Sequence, residues 1–115
     1  MGKQGKERRR HPRVEADVEA RLTIDGETLD ARLHDVCRDA ALVIAGRSWP
    51  LDTRVTIEVE LPGVAGRVKA SGPVVRLAPA DGGRHGMAVL FDEITPESAL
   101  RIELFISDRE AGAKG

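Results

Sequence analysis

Three stretches of this chain alternate apolar and polar residues with a period of two, and that repeat limits the fold more than any other feature. Val18, Ala20, Leu22 and Ile24 alternate with Glu19, Arg21 and Thr23. Leu29, Ala31 and Leu33 repeat the pattern, as do Val55, Ile57, Val59 and Leu61. Such spacing puts every apolar side chain on one face of an extended strand, half buried against a core. Asp25-Gly26 sits between the first two stretches and is a strong two-residue hairpin signal. Ala41-Leu42-Val43-Ile44 reads as a short buried strand after an Asp35–Ala40 turn. Val64 to Leu77 reads as another, with a bulge or bend at Gly72-Pro73. Asp81-Gly82-Gly83 then turns the chain into a closing strand from Gly86 to Phe91.

One helix follows. Thr95-Pro96-Glu97 supplies an N-cap, a proline at the first helical position and an acid in the first turn. Leu100, Leu104 and Ile106 or Phe105 form its expected apolar stripe. Six short strands with mostly hairpin connections predict a mainly all-β fold, a closed or nearly closed antiparallel barrel. The helix is expected over one mouth, and Trp49 over one end of the core. The chain divides into a disordered basic arm (1–8), one folded domain (9–108) and a flexible tail (109–115), and 115 residues suffice for a single modest core.

Charge is unevenly spread. Lys3, Lys6, Arg8, Arg9, Arg10 and Arg13 against Glu7 give the first 13 residues +5, so a net charge of −1 leaves −6 for the rest. A basic arm on an acidic body predicts an anionic ligand at the arm and argues against a long polyanion such as nucleic acid. Aromatic residues make up 3% of the chain, too few for the stacking platforms of single-strand binders. Cys37 is alone, which fits a reducing cytoplasm. No apolar run approaches the roughly 18 residues of a membrane span, and the basic start lacks the apolar stretch of a signal peptide. Lys6 stands where a myristoylation signal wants Ser or Thr.

The chemistry is concentrated in two short segments. Arg8-Arg9-Arg10-His11-Pro12-Arg13 precedes the first strand, and Asp35-Val36-Cys37-Arg38-Asp39-Ala40 follows the second. Arginine offers a planar fork that bonds phosphate in two parallel hydrogen bonds, stacks on flat rings and matches guanine O6 and N7. A carboxylate such as Asp35 accepts from guanine N–H groups. Arg9 and Arg13, four apart on an extended segment, can reach different faces of one compact ligand. Arginines plus one carboxylate make a guanine-nucleotide vocabulary.

These segments resemble the two motifs of the PilZ domain family of bacterial cyclic di-GMP receptors. Arg9 to Arg13 is similar to its Arg-x-x-x-Arg motif before the first strand of a six-stranded barrel. Asp35 to Ala40 is similar to its Asp/Asn-x-Ser-x-x-Gly turn. Gly86 to Phe91 followed by the Thr95-Pro96 helix start resembles PilZ domains as well, so the likeness covers about residues 8 to 108. It implies a cytoplasmic, non-enzymatic receptor or adaptor, whose ligand is cyclic di-GMP and which holds no cofactor. The implied ligand-binding residues are Arg8, Arg9, Arg13, Asp35, Cys37 and Ala40. Arg8 either adds charge only or, as in family members with the extra arginine, serves an intercalated ligand dimer. With no output domain in the chain, the signal passes to an unidentified downstream protein.

The second motif departs twice. Cys37 stands for the serine, and a thiol is a weaker donor than a hydroxyl. Ala40 stands for the glycine and puts a Cβ where the backbone would need positive φ or close approach to a ligand. Each change costs about 0.5–2 kcal/mol of binding. The competing reading is therefore a PilZ-like protein-interaction module that has lost nucleotide binding.

Other constellations carry less. His34 and Cys37 supply half a zinc site, with no other half in the sequence. Cys37 beside Arg38 reads as a small packing residue of a turn more readily than as a reactive thiol. No nucleophile has a His–Asp relay in the sequence, and Gly82-Gly83 lacks the strand–loop–helix order of a phosphate loop.

Overall fold

The computed structural model describes residues 13–114. Arg8 and Arg9, with the expected arm, lie outside the described residues. The strands are β1 (Val14–Ile24), β2 (Glu27–Val36), β3 (Ala40–Ala45), β4 (Arg54–Val59), β5 (Val68–Pro79), β6 (His85–Leu90) and the two-residue β7 (Glu93–Ile94). All pairings are antiparallel, in the order β4-β1-β2-β3-β6-β5, and a further β4–β5 pairing closes six strands into a barrel. β7 adds to β5 outside this ring through Ala70↔Ile94 and Ser71↔Glu93. The six-stranded barrel read from the sequence is the observed fold.

The period-two pattern becomes the core directly. Leu22, Ile24, Leu33, Val43, Val55, Val74 and Val89 are fully or almost fully buried. Asp25 and Gly26 both take positive φ, 53° and 79°, the geometry that a twisted two-residue hairpin requires. Trp49 is half-buried against the core, with the Arg47 guanidinium 4.3 Å over its ring.

The helix α1 (Pro96–Lys114) closes the mouth where β2 ends and β5 begins. Its cap is as expected: the Ser98 N–H donates to Thr95 Oγ1 at 3.1 Å, a contact worth about 1 kcal/mol in helices generally. Its buried stripe differs from expectation. Ser98, Ile102, Phe105 and Ile106 face the barrel, while Leu100 and Leu104 are 57% and 52% exposed. Ile102, Phe105 and Ile106 make the larger apolar face, and polar contacts accompany this rotation. The Lys69 N–H donates to Ser98 Oγ at 3.0 Å and Arg101 Nη1 donates to the Arg67 carbonyl at 2.9 Å. Ser98 faces inward on the same side as the positions four and seven residues on. The helix also continues to Lys114, through most of the expected tail.

β5 begins four residues later than its apolar run suggested. Pro62-Gly63 makes a turn in which the Val64 N–H donates to the Leu61 carbonyl, and Gly66 takes φ 98°. The irregularity expected at Gly72-Pro73 falls further along. Both residues pair in register with β4, opposite Val55 and Arg54, and the slip against β6 lies between Val74 and Arg76. Gly72 answers a different need: a Cβ there would sit 1.6 Å from the Leu90 carbonyl oxygen.

Candidate functional site

The ladder between β1 and β2 brings Arg13, the last residue of the first motif, close to the second. At its open end Val14 faces Val36 and Glu15 faces Asp35. One residue beyond that last pair stand Arg13 on one strand and Cys37 on the other. Residues 22 positions apart in sequence, Arg13 and Asp35, are therefore held within a rung or two of each other by register alone. Arg13 is exposed.

The turn after β2 is short and internally bonded. The Cys37 N–H donates to the Ala40 carbonyl at 2.8 Å, and the Phe91 N–H donates to the Asp39 carbonyl at 2.8 Å, which ties the turn to the end of β6. Cys37 is buried, and its Sγ donates to Asp39 Oδ1 at 3.2 Å. Burial, with the Asp39 carboxylate beside it, pushes the thiol's pKa up. The packing reading of Cys37 holds, and neighbouring Arg38 does not activate it. Arg38 instead points to the helix, with Nε 3.6 Å from Glu103 Oε2.

Ala40 opens β3 opposite Leu90. Its φ is not positive, so the Cβ brings no left-handed strain. That part of the concern raised by its replacing a glycine is removed.

Asp35 is half-buried, and its Oδ1 is sealed from solvent with no hydrogen-bond partner among the described residues. A desolvated acceptor left without a donor costs about 1–3 kcal/mol, and more when charged. Such an atom marks a place where a donor is missing. Irregular strand geometry surrounds it. β1 carries one extra residue between Glu15 and Val18 relative to β2, and β2 carries one extra residue, His34, relative to β3. Bulges re-aim neighbouring side chains and gather near functional sites.

His34 is exposed whereas Cys37 is buried, so the two do not converge. Among the described residues no group of three His, Cys, Asp or Glu side chains is arranged to hold a metal. No described helix is long and apolar enough to cross a membrane. A separate open groove of about 1080 Å³ crosses the outer faces of β1, β2 and β4. Its lining mixes Glu19, Asp30 and Glu58 with Arg21, Arg67 and Arg84, and includes none of the motif residues.

Sequence reasoning missed both bulges and the Arg32–Asp17 contact between them, where Arg32 Nε donates to Asp17 Oδ1 at 2.8 Å. Only a charged residue on each strand hinted at it.

Known proteins can now be set beside this geometry. No sequence among curated proteins matches significantly. Several solved structures share the fold, and three of them show how closely. The inhibitor of motility MotI/DgrA of Bacillus subtilis superposes with a TM-score of 0.75 at 15% identity, over 90% of this chain and 52% of that one. The PilZ domain of YcgR from Escherichia coli, solved with c-di-GMP, gives 0.70 at 21% identity, over 93% and 96%. PlzA of Borreliella burgdorferi, also in complex with c-di-GMP, gives 0.66 at 18% identity, over 90% and 43%. The chain thus spans about half the length of MotI/DgrA and less of PlzA, but almost all of the YcgR domain. The family model described as the PilZ domain matches residues 7–108. Nearly the whole chain is covered, and the protein belongs to the PilZ domain family.

Proposed function

We propose that this domain is a bacterial cytoplasmic receptor for cyclic di-GMP, not an enzyme, and that it hands the signal to a downstream protein. The observation that carries the reading is the orphaned Asp35 Oδ1 beside the rung that delivers Arg13. A guanine offers N–H donors to that oxygen, and the nucleotide's phosphates suit the arginine forks. Arg9 and Arg13 act as the principal clamp, with Arg8 adding charge or serving a second ligand molecule. Cys37 and Ala40 bound the turn that follows Asp35 and the end of β2. Family membership and the two c-di-GMP complexes among the structural neighbours support the assignment.

One observation favours a second reading. The Cys37 S–H, which stands where the family pattern has a serine hydroxyl, is already committed to Asp39. A domain that lost its nucleotide and kept only a protein-binding role would show the same turn.

Calorimetric titration with cyclic di-GMP separates the two. Each charge-assisted arginine contact is worth roughly 1.5–3 kcal/mol, so Arg9→Ala or Arg13→Ala should weaken binding by about ten- to a hundredfold. Thermal melts should remain those of a folded barrel. Absence of heat from the wild-type protein at millimolar ligand would leave the interaction module as the function.

A further inference from the structure

Asp17 is one of three non-glycine residues among those described with positive φ, at 50°, and the other two lie in loops. Asp17 lies inside β1, where an aspartate has no local reason to leave the extended region. Arg32 on β2 holds it there. Arg32 Nε donates to Asp17 Oδ1 and Nη2 donates to the Asp17 backbone carbonyl, both at 2.8 Å. One rigid guanidinium thus grips the side chain and the main chain of the same residue.

The consequence is a change of register. From Val18 onward the paired residue numbers of β1 and β2 sum to 51, as in Val18↔Leu33. Before the bulge they sum to 50, as in Glu15↔Asp35. Without the bulge, with the sum of 51 continuing through all of β1, Glu15 would face Val36 and Arg13 would be carried level with Arg38. With it, Arg13 stands level with Cys37, two rungs from the Glu15–Asp35 pair and on the same face. A slip of one residue also turns every side chain on that segment to the opposite face of the sheet.

We propose that Asp17 and Arg32 are positioning residues for an anionic ligand, a clamp that sets the register bringing Arg13 toward Asp35 at the end of β2. The inference rests on the ligand site described above and adds to it two residues outside both motifs. The pair is exposed, with side chains 67% and 40% accessible, and exposed pairs contribute little to global stability. Its effect is therefore local and geometric. The same guanidinium holds the Asp17 carboxyl below the usual carboxylate range.

The test uses the full chain and cyclic di-GMP titrated calorimetrically, with NMR cross-strand contacts reporting register. Arg32→Ala and Asp17→Val, the latter intolerant of positive φ, should each weaken binding about tenfold or more. Both should lose the contacts of residues 14–15 with 35–36 while the rest of the barrel keeps its shifts. Asp17→Gly accepts positive φ and leaves its backbone carbonyl to Arg32 but loses the carboxylate contact, so it should weaken binding less than Asp17→Val does. Arg32→Lys, a single-point donor without the fork, should fall between and guards against a misfolded alanine variant. In a double-mutant cycle, Arg13→Ala should cost less in the Arg32→Ala background than in wild type. Unchanged register and affinity in Arg32→Ala, or strictly additive losses with Arg13→Ala, would overturn the clamp. A wild-type protein that binds no nucleotide would overturn the reading of the site instead, and the register contacts would still decide whether the clamp sets the strand.

Discussion

Gly72 offers the sharpest test of how the barrel is held beneath the candidate turn. Its φ is ordinary, so the argument concerns space alone. A Cβ on residue 72 would lie 1.6 Å from the Leu90 carbonyl oxygen, 2.7 Å from its carbon and 3.2 Å from the Asp92 nitrogen. Ordinary contacts lie at roughly 3.5 Å, so the carbonyl must retreat by about 1.9 Å. The obstacle is main chain, which cannot swing aside as a side chain would. That main chain is fixed on both sides: Leu90 pairs with Ala40, the Phe91 N–H donates to Asp39, and the Asp92 N–H donates to Ser71. Losing two or three such bonds costs about 1 kcal/mol each, and overpacking adds about 1–3 kcal/mol. Gly72→Ala should therefore lose about 3–6 kcal/mol, a large part of the 5–15 kcal/mol that holds a typical domain. At roughly 4 °C per kcal/mol the melting temperature should fall by about 12–24 °C. Gly46→Ala is the control, because nothing lies within 4 Å of its Cβ and its φ is ordinary. It should stay within about 0.5 kcal/mol of wild type. Urea denaturation of both variants measures the difference, and a Gly72→Ala protein within about 1 kcal/mol of wild type would refute the reasoning.

Two further outcomes concern titrating groups. Arg54 Nη1 and Nη2 donate to Asp92 at 3.1 and 2.7 Å, and these bonds lower the Asp92 pKa from 3.8. A carboxyl lowered in the fold adds stability above its unfolded pKa, and that stability is lost as pH falls through the folded value. Urea midpoints should therefore fall with pH below about 4 more steeply for wild type than for Asp92→Asn, and parallel slopes would count against the pair. Cys37 runs the other way: burial raises its pKa above 9.0, so its contribution is present below that value and lost as pH rises through the higher folded one. Iodoacetamide at mildly alkaline pH should label Cys37 far more slowly in the folded protein than in urea, and equal rates would show that the thiol is not buried.

Much of the fold was written in local chemistry. A strand with one face in the core must alternate, and an Asp-Gly pair accepts two positive φ angles, so β1, β2, β4 and the first hairpin were legible before any coordinates. Thr95 and Pro96 announced the helix start for equally local reasons. The rotation of that helix was not legible. Leu100 and Leu104 form as good an i, i+4 pair as Ser98 and Ile102, and hydrophobicity alone favours the leucines. The buried face instead joins Ile102, Phe105 and Ile106 to Ser98, whose Oγ accepts from a backbone N–H on β5, a partner that exists only once the barrel has formed. Gly72 is similar: the sequence shows a glycine in a strand, but only the packed Leu90 carbonyl explains why no larger residue fits.

The candidate site divides along the same line. Residue type was enough to pick out arginines before β1 and an aspartate near the end of β2, because forked cations and a carboxylate are what an anionic guanine ligand requires. The register that sets Arg13 near Asp35 was not contained in the motifs. β1 carries an extra residue there, Asp17 is left-handed, and the arginine bonded to it precedes Asp35 by three positions and belongs to no motif. A bulge leaves only a faint trace in an apolar alternation, since one inserted residue shifts parity over a few positions where burial is already partial. Cys37 and Ala40 show the converse. As letters they look like damage to a ligand turn. In the fold, the thiol keeps a hydrogen bond within the turn and the alanine takes an ordinary strand conformation. The turn is thus built without the serine and glycine, and Asp35 keeps an oxygen buried without a donor. A protein that had no use for an incoming donor would gain stability by replacing that aspartate with an apolar residue of similar size. Its presence next to the rung of Arg13 is the reason to titrate the nucleotide first.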